Sequence, residues 1–338
     1  MTRPRTSAAF LLPEPSFRRV FTQVDLRRLE SEPALDLLAD RPLDPAARAD
    51  RELLARAEVL ITGWGTPMID DHLLEQAPAL RAIAHSAGTV RPIVDPVVYE
   101  RGIVVSSAAA ANAIPVAEYT LALIVLGAKR AFWAADRVRA GLPEADLESA
   151  WPAVGIRGRT VGIVGASTIG RLVIERLHRL DLEVLLYDPT LHPLEAAELG
   201  AEAVELSELI TRSDIVSLHA PSLPSTHGMI DRRHIADLRP GATLINTARG
   251  DLLDQEALAD RLESGDLVAL LDVAAEEPLP ARSRLRTTPN TFLTPHIAGS
   301  IGTELGRLSA HAVEETIAFA TQGTFAHPID QQTFALRA

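Results

Sequence analysis

The chain has no cysteine among its 338 residues. Without cysteine there is no disulfide scaffold, no thiolate nucleophile and no cysteine-ligated zinc. Basic residues are also scarce relative to acidic ones, 33 against 45, which gives a formal net charge of -12 and argues against nucleic acid as a partner. Because no secretory signal is recognisable and no metal-ligand pattern stands out, we expect a cytoplasmic protein without a metal site.

Long hydrophobic runs are missing as well. The most apolar segment, residues 119–128, lies between Glu118 and Lys129. It is too short to cross a bilayer, so we predict a buried helix and no membrane partner. Apolar residues nevertheless make up 47% of the chain, enough to form cores, and the length suits two domains better than one.

Short apolar runs alternate with helical patterns in the second half of the chain. Such an alternation is typical of a parallel sheet covered by helices on both faces. The candidate strands of this half are residues 160–164, 182–187, 215–218, 242–245, 268–273 and 291–293. Residues 1–110 show the same rhythm more faintly, with candidate strands at 58–62, 80–85 and 102–106, and we predict a smaller α/β domain there.

One more helix is predicted after Gly302. Its apolar residues share one face, which must be buried, and we expect that face to pack on the first domain. These residues are Leu305, Leu308, Ala312, Val313 and Ile317. The prediction is therefore an α/β protein of two Rossmann-like or flavodoxin-like domains. A cofactor domain of residues 114–299 is inserted into a discontinuous substrate domain of residues 1–113 and 300–338.

The stretch "VGIVGASTIG", residues 161–170, has the pattern of a dinucleotide-binding turn with one glycine missing. Gly165 permits the tight turn and Gly170 the close packing of helix on strand. Ser167 replaces the glycine at which the backbone approaches a pyrophosphate. Because serine is small, and because the N–H groups around Thr168 and Ile169 would still point at an anion, we predict that this turn binds a cofactor.

An acidic residue, Asp188, ends the next candidate strand. Such a residue about 20 positions after the glycines holds the ribose hydroxyls of NAD, and it would repel the 2′-phosphate of NADP. This favours NAD over NADP as the cofactor. The alternative is that Asp188 and Pro189 form an ordinary turn at a strand end.

Three further segments follow candidate strands in the same half: "NTARG" at 246–250, "DVAAEEP" at 272–278 and "TPHIAGS" at 294–300. Ligands bind outside the carboxyl ends of the strands in such sheets. An arginine, a glutamate and a histidine are therefore predicted to converge on one crevice.

In this order, and with "NAIPVAEYTLALIV" upstream, these motifs resemble those of the D-isomer-specific 2-hydroxyacid dehydrogenase family over residues 58–317. The resemblance implies an oxidoreductase that uses NAD and transfers a hydride between nicotinamide and a small D-2-hydroxy acid or its 2-keto acid. Glyoxylate and hydroxypyruvate are examples of such keto acids. The resemblance also implies a homodimer, formed through residues 116–126 and 130–151.

The resemblance assigns catalytic roles to three residues. Arg249 matches the arginine that binds the substrate carboxylate, His296 the general acid and base, and Glu277 the acidic partner that orients the imidazole. An imidazole suits this role because it can give or take a proton near neutral pH. The plainer alternatives are a strand-end salt bridge for Arg249, a structural histidine for His296, and a solvated acidic pair of Glu276 and Glu277.

Binding roles follow from the same resemblance. In the second domain, Asp272 matches a contact to the nicotinamide amide. The other expected cofactor contacts are Thr247, Ala248, His219, Pro221 and Gly299. In the first domain, Ala87 and Gly88 match the loop whose N–H groups take the substrate carboxylate. Trp64 either contacts the far end of the substrate or is a core residue, and His219 either borders the adenosine or is structural.

Two alternative functions stay open. After Gly88 the chain reads Thr89-Val-Arg91 where family members often have Val-Asp-Asn, a departure from the family in the loop expected to contact the substrate. The alternative substrate is 3-phosphoglycerate, for whose phosphate Arg91 is the one candidate contact. The other alternative is an NAD-sensing, corepressor-like binding protein, which can keep the same three catalytic residues. A partner-binding tail and weak turnover would mark it, and we see no long disordered tail in the sequence.

Overall fold

The structure is a computed structural model that describes residues 4–142, 147–151, 154–331 and 334. In chain order its strands are β1 (Thr6–Leu11), β2 (Leu35–Pro42), β3 (Val59–Thr62), β4 (Ala82–His85), β5 (Val104–Ser107), β6 (Arg159–Val164), β7 (Leu182–Tyr187), β8 (Glu202–Ala203), β9 (Ile215–Leu218), β10 (Thr243–Asn246), β11 (Val268–Leu271), β12 (Thr291–Leu293) and β13 (Pro328–Ile329).

Its α-helices are α1 (Glu14–Val20), α2 (Gln23–Ser31), α3 (Arg48–Leu54), α4 (Asp71–Gln76), α5 (Val97–Glu100), α6 (Ala109–Ala128), α7 (Ala131–Arg139), α8 (Leu147–Ala150), α9 (Thr168–Leu177), α10 (Pro193–Glu198), α11 (Leu206–Arg212), α12 (Arg232–Asp237), α13 (Gln255–Glu263) and α14 (Leu305–Gln322). The chain divides into two compact units, a first one of Met1–Asn112 with Ser300–Ala338 and a second one of Ala113–Gly299. The substrate and cofactor roles of these parts of the chain stay predictions.

The first unit is built on a six-stranded sheet in the order β13-β5-β4-β3-β1-β2. Strands β1 to β5 are parallel, and their order in the sheet is that of a flavodoxin-like fold. The short strand β13 is added at one edge and runs antiparallel to β5. Because the chain returns to this sheet after the second unit, the first unit is discontinuous.

Helix α14 supplies much of the apolar core on one face of this sheet. Leu305, Leu308, Ala312 and Val313 are buried in one cluster with side chains of β1, β3 and β4, and Ile317 packs against it. The predicted packing of this helix on the first domain is therefore confirmed. Five phenylalanines belong to the same cluster, and the ring centroid of Phe10 lies 4.9 Å from that of Phe17 and 5.0 Å from that of Phe21.

The second unit holds a seven-stranded sheet in the order β12-β11-β10-β9-β6-β7-β8, and every neighbouring pair is parallel. This is the strand order of a Rossmann fold with one additional strand. The chain proceeds from β6 to one side and then returns to β9 on the other, which makes a switch point beside β6. The predicted fold class, two Rossmann-like or flavodoxin-like units with one inserted in the other, is confirmed.

Helix α6 is longer than the apolar segment from which it was predicted. It covers 20 residues, and it is long and apolar enough to cross a membrane by length and composition alone. The expectation that the segment is too short is therefore wrong, because residues 109–118 are also helical. Ala117, Leu123 and Ile124 are buried in a cluster with side chains of β6, β10 and β11, as in the core helix of a globular domain. Gly127 lets the helix approach this sheet, since a Cβ there would lie 2.8 Å from Cδ1 of Leu270.

Candidate active site

The loops that carry the predicted catalytic and cofactor residues leave the same edge of the second unit's sheet. Gly165 follows β6 and Asp188 follows β7, while the loops after β10, β11 and β12 carry Arg249, Glu277 and His296. Because these strands are parallel, their carboxyl ends meet at one edge, which is where ligands bind in such sheets.

The glycine turn after β6 needs both of its glycines. Gly165 has φ +101°, and a Cβ there would lie 2.7 Å from the backbone nitrogen of Ala220. A Cβ at Gly170 would lie 2.1 Å from the carbonyl oxygen of Gly165. Ser167 is the N-cap of α9, and its hydroxyl accepts the N–H of Gly170 at 3.3 Å. The serine therefore stabilises the start of the helix, whose first N–H groups have no intrahelical acceptors and suit an anion.

Asp188 contacts the glycine turn directly. Its Oδ2 accepts the N–H of Ala166 at 2.7 Å. Its Oδ1 accepts the N–H and the hydroxyl of Thr190, at 2.9 Å and 2.7 Å. The second pair of bonds is a local turn, as the plainer alternative expected, and the first bond holds the carboxylate beside the candidate cofactor turn.

Glu277 and His296 form the closest contact between predicted catalytic residues. Nδ1 of His296 lies 2.7 Å from Oε2 of Glu277, and the other carboxylate oxygen accepts the N–H of Ala274 at 3.1 Å. With Nδ1–H donating to the carboxylate, Nε2 is the nitrogen of His296 left for a ligand. Both side chains are half-exposed, so a small molecule can reach this nitrogen.

The backbone of His296 is held in an unusual conformation by Asp272. His296 has φ +55°, the left-handed region that a residue other than glycine seldom adopts. Its N–H donates to the carbonyl oxygen of Asp272 at 2.8 Å. The buried Asp272 carboxylate accepts the N–H of Ile297 and of Ala298, each at 2.8 Å, and the hydroxyl of Thr294 at 2.6 Å. Four bonds to one residue thus fix the turn that presents the imidazole.

Tyr119 extends this network and was not among the predicted site residues. Its hydroxyl donates to Oγ1 of Thr294 at 3.0 Å, which in turn donates to Asp272. Burial raises the pKa of Tyr119, so the phenol stays a proton donor. No local pattern in the sequence signals a contact between residues 175 positions apart.

Arg249 and Gly250 follow β10 and adjoin the loop that carries Glu277. A Cβ on Gly250 would lie 1.9 Å from the carbonyl carbon of Ala274, so only glycine permits the two loops to pass. Burial lowers the pKa of Arg249, and the negative charges of Asp251 and Glu277 oppose that shift. The guanidinium stays charged at neutral pH and is partly desolvated, which strengthens its attraction for a carboxylate.

The remaining predicted cofactor contacts occupy the same sheet edge in different ways. The hydroxyl of Thr247 is 2.8 Å from that of Thr120, and both are buried, so this side chain is already paired. The ring of His219 is buried, with Nε2 2.9 Å from the hydroxyl of Ser217. Burial lowers the pKa of His219 to about 3. Among the described residues its Nδ1 has no partner. Ala248 is buried, whereas Pro221 and Gly299 are partly exposed.

The predicted substrate residues of the first unit follow its strands β3 and β4. Ala87 is buried and Gly88 is partly exposed in the loop after β4, and Trp64 comes two residues after β3. Trp64 is 37% exposed, and the guanidinium carbon of Arg19 lies 5.7 Å from its ring centroid. Trp64 is therefore not a core residue, and the contact to the substrate stays a prediction.

Comparison with known proteins identifies one family. Residues 121–298 match the family described as D-isomer specific 2-hydroxyacid dehydrogenase, NAD binding domain. The chain is 36% identical to the D-3-phosphoglycerate dehydrogenase of Mycobacterium tuberculosis over 259 residues, 76% of this chain and 48% of that protein. It thus spans about half the length of that relative.

Other matches cover both chains more fully. The glyoxylate/hydroxypyruvate reductase B of Pectobacterium carotovorum is 33% identical over 279 residues, which are 82% of this chain and 86% of the reductase. The crystal structure of the TT0316 protein of Thermus thermophilus has a TM-score of 0.74 and 31% identity, and the match covers 96% of this chain and 100% of that one.

The close approach of two loops at Gly250 leads to a prediction about the stability of the protein. In Gly250→Ala the added methyl group must push the loop of Ala274 away, because the clash is with backbone atoms. We expect the free energy of unfolding to fall by about 1–3 kcal/mol, as in other overpacked sites. Urea unfolding measures this loss.

Gly306→Ala is the matched control, since no atom lies within 4 Å of a Cβ at that helical position. This variant should keep or slightly raise the stability, because alanine favours a helix by up to about 1 kcal/mol over glycine. Equal stability of the two variants would contradict the steric role of Gly250.

Proposed function

We propose, since the chain belongs to the family of D-isomer-specific 2-hydroxyacid dehydrogenases, that it is an NAD-dependent oxidoreductase that interconverts a small D-2-hydroxy acid and its 2-keto acid. The observation that carries this proposal is the contact of 2.7 Å between His296 and Glu277 at the carboxyl edge of the Rossmann sheet, with Arg249 in the adjoining loop. An acid–base pair beside a carboxylate-binding cation is what such a reaction needs.

The residues present fit a dinucleotide. The turn at Gly165 and Gly170 has no room for a Cβ at either position, and the N-terminus of α9 suits a pyrophosphate. Asp188 is bonded to the same turn, where it would accept the ribose hydroxyls. The bound nicotinamide would supply or take up the hydride of the reaction.

His296 would move the proton. In the direction of reduction, its Nε2 donates a proton to the keto oxygen, and in the direction of oxidation it takes one from the hydroxyl. Glu277 keeps the proton of Nδ1 in place and stabilises the imidazolium that forms when Nε2 is protonated. The same carboxylate fixes the orientation of the ring, so that Nε2 keeps one direction.

Arg249 would bind the substrate carboxylate. Its planar guanidinium can make two parallel bonds to a carboxylate, which a lysine cannot do. In the first unit, the N–H groups at Ala87 and Gly88 are a proposed contact to a substrate carboxylate. Trp64, which is exposed and lies beside Arg19, is the proposed contact to the rest of the substrate.

For the substrate we propose a keto acid of the size of glyoxylate or hydroxypyruvate. The similarity to a glyoxylate/hydroxypyruvate reductase over most of both chains supports this choice. 3-Phosphoglycerate is the competing substrate, because the mycobacterial dehydrogenase is similar to this chain. Arg91 and Arg19 are then the candidate phosphate contacts.

The first prediction from the proposed function concerns turnover. Purified protein should oxidise NADH with glyoxylate or hydroxypyruvate, and more slowly with phosphohydroxypyruvate. His296→Asn should lower kcat by about 10²- to 10⁴-fold, the usual contribution of a general acid. Arg249→Lys should mainly raise KM, because it removes the forked contact to the carboxylate.

His178→Asn is the control, because His178 is exposed and follows the far end of α9. It should keep wild-type kcat. A preference for phosphohydroxypyruvate would replace the proposed substrate by the phosphorylated one. Tight NADH binding without turnover of any keto acid would contradict the proposed enzymatic activity and favour the alternative, an NAD-sensing binding protein.

The second prediction concerns the choice of cofactor. Asp188→Asn keeps an oxygen for the Ala166 N–H and removes the negative charge. The ratio of kcat/KM with NADPH to that with NADH should rise by at least about tenfold, or about 1.4 kcal/mol. Asp181→Asn, at the other end of β7, is the control and should leave the ratio unchanged. An unchanged ratio in Asp188→Asn would show that Asp188 does not select NADH over NADPH.

We also propose a homodimer formed through the region of α6 and α7. Three large apolar side chains there are exposed, Leu126 at 39%, Val138 at 71% and Leu142 at 48%. Part of the predicted interface, residues 143–146, lies outside the described residues. Light scattering should give the mass of a dimer for the wild type and of a monomer for Val138→Asp. Leu194→Asp, on α10, is the control, and a monomeric wild type would refute the proposal.

A further inference from the structure

Three side chains of the first unit form a compact set of metal-type donors that has no part in the proposed reaction. His311 and Glu315 are four residues apart on α14 and therefore share a face of the helix. His327 precedes β13, where the chain returns to the sheet. One donor atom from each side chain lies within 4.8 Å of the other two.

Glu315 is a buried carboxylate whose hydrogen bonds within the described part of the chain all go to His327. It is 2% exposed, and its Oε1 accepts the side-chain Nδ1 of His327 at 2.8 Å and the backbone N–H of the same residue at 3.1 Å. A buried charge needs strong compensation, and a single histidine that is 77% exposed is a modest source of it. The site therefore places a buried carboxylate next to a solvent-accessible imidazole.

His311 has an unused nitrogen that is buried. Its Nε2 has no hydrogen-bond partner among the described residues. A buried imidazole nitrogen without a hydrogen-bond partner is available as a metal ligand.

We propose that His311, Glu315 and His327 bind a divalent zinc ion. Two imidazoles and one carboxylate are a donor set that zinc accepts, with a fourth position left for water. Zinc bonds of about 2.0–2.2 Å require donor atoms about 3.3 Å apart, so a set that spans up to 4.8 Å needs only a small adjustment. The exposed side chain of His327 can make this adjustment. It would give up its hydrogen bond to Glu315 and coordinate the zinc through a deprotonated Nδ1.

Bound zinc would join two parts of the first unit. His311 and Glu315 belong to α14, whereas His327 lies after Gly323, the αL residue that ends the helix. The ion would tie the connection between α14 and β13 back onto the helix. The expectation of no metal site, stated from the sequence, conflicts with this proposal. In the sequence, the end of α14 separates His327 from His311 and Glu315.

The test is a zinc titration of the full-length protein after removal of metal with a chelator and without a histidine tag. Isothermal titration should show one equivalent of zinc bound by the wild type. His327→Ala and His311→Ala should each weaken the affinity by at least about 100-fold, beyond the effect usual for residues around the ligands. His72→Ala is the control, since His72 is exposed on α4, and its affinity should be that of the wild type.

A second readout separates coordination from a general effect on the fold. Cobalt(II) added in place of zinc should give the visible absorption of a tetrahedral or five-coordinate site, and the absorption should be lost in His327→Ala. We expect His327→Ala to keep the fold by circular dichroism even if His311→Ala does not, because the ring of His327 is exposed and the backbone N–H of residue 327 still donates to Glu315. The proposal is overturned if the wild type binds no stoichiometric zinc, or if both variants bind it as the wild type does.

Discussion

The candidate active site depends on one buried carboxylate, that of Asp272. It accepts two backbone N–H groups and the hydroxyl of Thr294, and the carbonyl of the same residue accepts the N–H of His296. These bonds compensate a left-handed conformation at His296 that would otherwise cost about 1–3 kcal/mol. The imidazole can therefore be presented to a ligand by a loop and still keep one orientation. A carboxylate that holds a backbone turn in this way also explains why Asp272 is buried while its neighbours Glu276 and Glu277 are exposed.

The edge of a parallel sheet brings distant segments together only if the loops can pass one another. Gly165 and Gly250 satisfy that condition, since a Cβ at either would meet the backbone of a neighbouring loop at less than 3 Å. The first approach places the glycine turn against the loop after β9, and the second places Arg249 against the loop of Glu277. The two glycines thus allow the candidate cofactor turn and the candidate catalytic loops to pack closely against neighbouring loops at this sheet edge.

Most of the fold and of the residues at the sheet edge could be predicted, because parallel strands and glycine turns leave local patterns. Candidate strands such as residues 215–218 coincide with those of the structure, whereas β8 and β13, of two residues each, are too short to give a pattern. The roles of Tyr119 and Thr294 could not be predicted, because their contact joins positions that only the folded chain brings together. The exposure of Trp64 was undecided for the same reason, since burial depends on what packs beside β3.

The serine in the glycine turn shows how the fold accommodates a departure from the pattern. At the position of Ser167 the backbone is extended, with φ -61° and ψ 173°, so no left-handed conformation demands glycine there. The hydroxyl accepts an N–H that would otherwise lack an acceptor at the start of α9. The serine side chain fills some of the space near the turn, and as the N-cap it stabilises the helix by about 1 kcal/mol. Gly165 and Gly170 have no such freedom, because their missing side chains leave room for backbone atoms rather than for a ligand. The fold of the turn therefore excludes a side chain at Gly165 and Gly170 and accepts one at Ser167.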